Sequence, residues 1–173
     1  MAPITAHKLI VLVFACVSLA GCGFRPLNAA AGIGGADAET KLANVQIAPI
    51  PGRLGQRLRN ELVFNTTGGA AATTEPLYRL EIAVRESTAA TLVKTDGDAQ
   101  SQIYNADATF NLIRLSDKKV VLKGESFGRA GLERNPSIFS NTRAVDDAQN
   151  RTARSIATEL KTRIAAFLAT NEG

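Results

Sequence analysis

Residues 77–86, LYRLEIAVRE, alternate strictly: Tyr78, Leu80, Ile82 and Val84 share one parity, and Arg79, Glu81 and Arg85 share the other. Successive side chains of a strand point to opposite faces, so this pattern belongs to a β-strand with one buried side. Residues 104–115 repeat it, with Tyr104, Ala106, Ala108, Phe110 and Leu112 opposing Asn105, Asp107, Thr109 and Asn111. A sheet with one apolar face must bury that face against another layer, and this requirement narrows the fold more than any other feature of the chain. Ser116, Asp117 and Lys118 make a tight turn, and 120–129 returns as a third antiparallel strand, with Gly124 and Gly128 read as a bulge. Residues 87–102 read as a long hairpin tip around the turn signal Asp96-Gly97. Asp96 and Asp98 do not complete an EF-hand loop, because Gln100 and Asp107 stand at later ligand positions, so the turn reading is kept.

The covering layer is legible on either side of these strands. From Arg53, Leu54, Leu58 and Leu62 recur every four residues, which is one stripe of a helix, and Gly68-Gly69 stops it. Before it, 44–50 (NVQIAPI) reads as a short strand with Val45 and Ile47 on one face and Pro49 at its end. Asn135-Pro136 separates the strands from a last helix at 143–169, with Val145, Ala148, Thr152, Ile156, Leu160, Ile164 and Phe167 at helical spacing. Asp146 and Asp147 fall in its first turns, where negative charge suits the helix dipole. The expected fold is α+β, a two-layer sandwich in the order β-α-β-β-β-α. Its sheet has about four, mostly antiparallel, strands, both helices lie on one face, and the other face is polar and uncovered.

The amino-terminal residues are of a different kind. Residues 9–20 form an apolar run broken only by Ser18, preceded by Lys8. Spanning a bilayer takes about 20 apolar residues, whereas the apolar core of a secretion signal needs about 7–15. Leu19-Ala20-Gly21-Cys22 follows and resembles the lipobox of bacterial lipoproteins. That resemblance implies a leader at 1–21, a diacylglyceryl group on the Cys22 sulfur and acylation of its freed amine. Each buried acyl carbon contributes about 0.8 kcal/mol, so two or three chains hold a protein on a membrane. Gly23 rather than aspartate follows, which by the same resemblance implies the outer membrane, facing the periplasm. Residues 22–40 then read as a lipidated start and flexible tether, and 41–173 as the folded domain; Gly32 and Gly34 lack the preceding strand and third glycine of a dinucleotide site.

Charge and composition exclude several functions. The formal net charge is +4, and one unit of it, Lys8, leaves with the leader. This mild excess requires no nucleic acid and suits an anionic ligand or membrane surface. Cys16 also lies in the leader, so a lipidated Cys22 leaves no thiol for a disulfide. The one histidine, His7, lies in the leader too, so the mature chain can build neither a Ser-His-Asp triad nor a His/Cys metal site.

GCGFRPL after the lipobox, then a strand, then GRLGQRLRNEL, then the alanine-rich AVDDAQNRTARSIATELKTRIAAFL, is similar to the LPS-assembly lipoprotein LptE family in its alphaproteobacterial form. Asn28 stands where relatives often carry tyrosine. The resemblance implies a plug inside the outer-membrane β-barrel LptD, assistance to barrel assembly and binding of lipopolysaccharide. It implies no catalysis and no cofactor beyond the lipid on Cys22. Phosphates of such a ligand call for Lys or Arg, and Arg85, Lys94, Lys118 and Lys119, at strand ends and turns, are the candidates. Two other classes compete with this reading. One is a lipoprotein adaptor of another envelope lipid-transport system. The other is an envelope enzyme using carboxylates such as Asp107 or Glu125, although alternation puts Asp107 on the solvated strand face.

Overall fold

The computed structural model describes residues 40–69, 74–93, 99–134 and 136–170. The leader, Cys22, the tether, Lys94 and the Asp96-Gly97 turn therefore lie outside the described residues. Six elements follow one another: β1 (Val45–Ile47), α1 (Gly52–Thr67), β2 (Tyr78–Val93), β3 (Ala99–Arg114), β4 (Val120–Glu133) and α2 (Ile138–Thr170). The strands form one sheet in sequence order, β1-β2-β3-β4. β1 runs parallel to β2, and the other two pairs are antiparallel. Parallel neighbours need a crossover connection, and α1 supplies it.

The alternation translates directly into the sheet. Leu80, Leu112 and Leu122 share one inward row, and Ile82, Phe110 and Gly124 the next. Leu54, Leu58 and Leu62 of α1 are fully buried, as are Ile156, Leu160, Ile164 and Leu168 of α2. Each such side chain contributes about 1.5–3 kcal/mol by leaving water, so the seam between helices and sheet dominates stability. α1 ends where Gly68 adopts φ 62° and returns its N–H to the Phe64 carbonyl at 2.9 Å. Glycine takes this left-handed conformation without the Cβ penalty.

The helices lie side by side and parallel. Arg53 pairs with Asp146 at 3.0 Å and Glu61 with Arg154 at 3.5 Å, so equal spacings on α1 and α2 stay in step. Their lengths differ, however. The 16 residues of α1 span about 24 Å and the 33 of α2 about 50 Å. The surplus at the far end of α2 meets residues 40–43, where Leu42 is buried and Lys41 donates to the Leu168 carbonyl at 3.3 Å. The surplus at its start, 138–145, has no α1 beside it.

Four sequence expectations are corrected. The β2–β3 ladder runs on to Val93 and Ala99 instead of opening into a tip at 87–102. Residues 85–91 are exposed on both faces, so the hydrophobic period vanishes there while the backbone ladder continues. Gly124 and Gly128 make no bulge; the register shifts lie at 90–93 on β2 and between Leu112 and Ile113 on β3. Gly128 instead lets α2 approach, because a Cβ there would sit 2.5 Å from Thr152 Cγ2. The last helix starts at Ile138, so Asp146 and Asp147 are not in its first turn and act through Arg53 and Arg151. Phe167 is half-buried and Val145 exposed, while Leu168 joins the core in their place.

Candidate functional site

The outer face of the sheet is uncovered by any described element. Its rows cross three strands: Glu81–Asn111–Lys123, Ala83–Thr109–Glu125, Arg85–Asp107–Phe127 and Ser87–Asn105–Arg129. Charges of opposite sign alternate with amides and hydroxyls, and Phe127 is 55% exposed in the centre. Arg85 stands in this field, opposite Asp107. Lys118 and Lys119 occupy the β3–β4 turn, Lys118 with φ 57° and Lys119 donating its N–H to Asp117 Oδ1 at 3.2 Å. At about 3.3 Å per residue, roughly 23 Å of strand separates Arg85 from that turn. The structure therefore does not bring Arg85 together with Lys118 and Lys119. Asp107 and Glu125, the candidate carboxylates, stand on neighbouring rows of the exposed face rather than in a cleft, Asp107 between Arg85 and Phe127 and Glu125 beside Thr109.

The inner face carries a second feature. Where α1 begins and α2 overruns it, an open groove of about 350 Å³ is lined by Arg53, Ile138, Asn141, Thr142, Val145, Asp146 and Gln149. Ile138 is 84% exposed, and Phe139, on the same overrun, holds Arg143 over its ring at 5.3 Å. Near the groove a polar cluster replaces the apolar rows. Glu86 occupies an inward position of β2, and its carboxylate accepts the hydrogen bond of the buried Tyr104 hydroxyl. Gln149 donates to the same phenol, while its own Oε1 is buried without a partner among the described residues. Burial first, and then the Glu86 carboxylate, hold the Tyr104 phenol above its usual pKa.

The two long edges of the sheet are treated differently. On β4 the outward carbonyl of Gly131 receives Arg151 Nη2 at 2.8 Å, and that of Glu125 receives Arg163 Nη1 at 2.6 Å. Glu159 braces this edge, accepting from Ser126 and pairing with Arg163. α2 thus clamps the β4 edge with two guanidinium groups. On β2, β1 covers only Tyr78 to Leu80, and Ala48 N–H reaches the Leu80 carbonyl at 3.0 Å.

Sequence reasoning did not find the Glu86–Tyr104–Gln149 cluster. One signal was present: Glu86 falls on the apolar parity of β2, where a carboxylate needs a special partner. The groove had no local signal, since it arises from the unequal lengths of two helices far apart in sequence. Among the described residues no helix is long and apolar enough to cross a membrane, and no three His, Cys, Asp or Glu side chains converge as metal ligands.

No protein-family model matches the chain, and neither does any curated protein. Solved structures do. The crystal structure of a "putative lipoprotein" from Caulobacter crescentus is 19% identical, superposes with a TM-score of 0.66 and covers 79% of this chain and 98% of its own. The rare lipoprotein B from Shewanella oneidensis is 10% identical, with a TM-score of 0.57 over 75% of this chain and 98% of that one. An uncharacterized lipoprotein B from Nitrosomonas europaea is 12% identical, with a TM-score of 0.51 over 73% and 87%. At these identities the likeness is one of fold: the two-layer sandwich occurs in bacterial lipoproteins.

Proposed function

We propose that this protein is an outer-membrane lipoprotein, tethered through lipid on Cys22, that serves the lipopolysaccharide translocon as the plug of an LptD-like β-barrel. The observation that carries the reading is a sheet with one face sealed by helices and the other mainly polar and open, on a chain in which Leu19-Ala20-Gly21 leads directly into Cys22. A large outer-membrane barrel has a polar interior, and a mainly polar, mixed-charge sheet face, with Phe127 as the large exposed apolar side chain at its centre, can pack there. A lipid anchor needs no transmembrane helix and leaves the domain in the periplasm within reach of the barrel. The shared fold with proteins described as lipoproteins supports the envelope setting.

In this reading the protein handles ligand and is not an enzyme, and it needs no cofactor beyond its covalent lipid. Arg85 presents a guanidinium from the open face, which suits bidentate contact with a phosphate of lipopolysaccharide. Lys118 and Lys119, with Lys94, would act as separate point charges. Nucleic acid has no part in it.

The test is gentle solubilisation of the outer membrane and purification of the native protein. A large β-barrel recovered in stoichiometric amount supports the proposal, and purification without one overturns it. Depletion supplies the second arm: surface lipopolysaccharide should fall, whereas disturbed phospholipid with normal lipopolysaccharide would point to another lipid-transport system. Cys22→Ser should yield an uncleaved or soluble precursor, scored by fractionation in a strain depleted of the barrel.

A further inference from the structure

We propose that the distal edge of β2, residues 85–91, takes up an extended segment of a partner polypeptide as a fifth strand. The direction of its backbone groups follows from the ladder. The Leu80 carbonyl faces β1, and residues of the same parity face the same way until the register shifts after Ala90. Glu86, Thr88 and Ala90 therefore aim their N–H and C=O groups away from β3, and β1 stops short of them. Every residue from Arg85 to Thr91 is exposed.

Three features separate this edge from an ordinary sheet margin. Natural sheets protect free edges with charge, proline, bulges or covering elements. β4 follows that rule through Arg151 and Arg163. Residues 87–91 (STAAT) carry no charge and no proline, and no described side chain caps them. The second feature is the groove. A strand added beside β2 would lie about 4.8 Å further out and send alternate side chains toward the helix layer. There α1 has not yet begun, and Ile138 and Val145 line the groove. The third is the small size of Thr88 and Ala90 at inward positions, which leaves that layer unfilled.

The chemistry names the occupant. A row of alternating donors and acceptors in a plane is matched only by another extended backbone, and pockets for alternate side chains add selectivity. The open run accommodates about five to seven residues, roughly 17–24 Å. Uncharged residues, apolar at the inward positions, fit Ile138 and Val145. A second copy of this chain fits poorly: paired antiparallel about Thr88, it would drive the Val93–Ala99 end of its own hairpin into residues 48–52, which lie against β2 at Leu80 and Glu86. The inference concerns this edge alone and does not depend on the partner being a barrel.

Hydrogen exchange on the full lipidated protein tests it, in native outer membrane and after purification to the single chain. Amides of Glu86 and Ala90 should exchange at least about tenfold more slowly in the membrane. Thr88→Pro removes one outward N–H without touching the β2–β3 ladder, and should abolish that protection while the Leu80 and Leu112 amides stay slow. If Thr88→Pro disturbs the hairpin, Ala90→Lys keeps every backbone group, puts a charge toward the groove and should abolish the protection as well. Equal exchange in membrane and purified protein overturns the proposal, as does protection that survives both variants. Benzoylphenylalanine replacing Thr88, on the groove side of the edge, identifies the occupant by photo-crosslinking: an adduct mapped to an uncharged, extended segment of another chain supports the assignment, and an adduct within this chain or between two copies of it overturns it. Barrel co-purification is scored separately, so the two ideas fail independently.

Discussion

Gly128→Ala puts one methyl between β4 and α2. Its Cβ would lie 2.5 Å from Thr152 Cγ2 and 3.0 Å from both Ile156 Cδ1 and Cγ1. Thr152 and Ile156 are both fully buried, so neither can swing into solvent. Overpacking of this kind costs about 1–3 kcal/mol. Removing glycine from an extended strand returns about 0.5–1 kcal/mol, so the net loss is about 1–2 kcal/mol. For a domain of this size that lowers Tm by about 3–10 °C. Thr152→Ala provides the compensating change. It removes the clashing methyl together with a hydroxyl that has no partner among the described residues, and burying such a group costs about 1–3 kcal/mol. Alone it loses about 0.8 kcal/mol of apolar burial and gains helix propensity, so it should be neutral or mildly stabilising. The double variant should recover most of the loss, with a coupling of about 1–2 kcal/mol in a double-mutant cycle. Urea denaturation of the mature protein, followed by circular dichroism, measures all four corners. If Gly128→Ala matches wild type within about 0.5 kcal/mol, or if the two changes simply add, α2 does not rest on β4 at this glycine.

Other outcomes follow from the same geometry. Gly55→Ala should lose about 2 kcal/mol or more despite better helix propensity, since its Cβ would meet the Ile50 carbonyl oxygen at 2.8 Å; Gly68→Ala meets nothing and should lose only about 1 kcal/mol, through its left-handed backbone, and denaturation midpoints would rank the two. Because folding raises the Tyr104 pKa, its contribution is fully present below about pH 10 and is lost as pH rises toward the folded value, so urea midpoints should fall from pH 9 to 11 in wild type and fall less in Tyr104→Phe. Arg151→Ala with Arg163→Ala should change stability little, as exposed charge contacts are worth under about 1 kcal/mol each, yet uncover the β4 edge; sedimentation should then detect concentration-dependent association absent from wild type.

Much of the architecture was written in local periodicity. Alternation at 78–84 and 104–112 set which residues face the helices, and Leu54, Leu58 and Leu62 announced the stripe of α1. Where both faces of a strand are exposed, the pattern has nothing to report, so 87–91 read as loop although the ladder runs through it. The final helix announced most of its core residues but not its start, because its first turns stand clear of α1 and the α1-covered core and carry no buried stripe.

By itself the sequence determined the order of elements and the apolar face of each, and it confines the one histidine and both cysteines to positions 7, 16 and 22. These are properties of single residues and short periods. Only the tertiary structure decided that α1 stops short of the start of α2, that Arg151 and Arg163 cap the β4 edge while no described side chain caps residues 87–91 of β2, and that Glu86 finds Tyr104. Each of these joins residues distant along the chain. Their juxtaposition depends on relative lengths and on which strand lies outermost, quantities that no local pattern encodes.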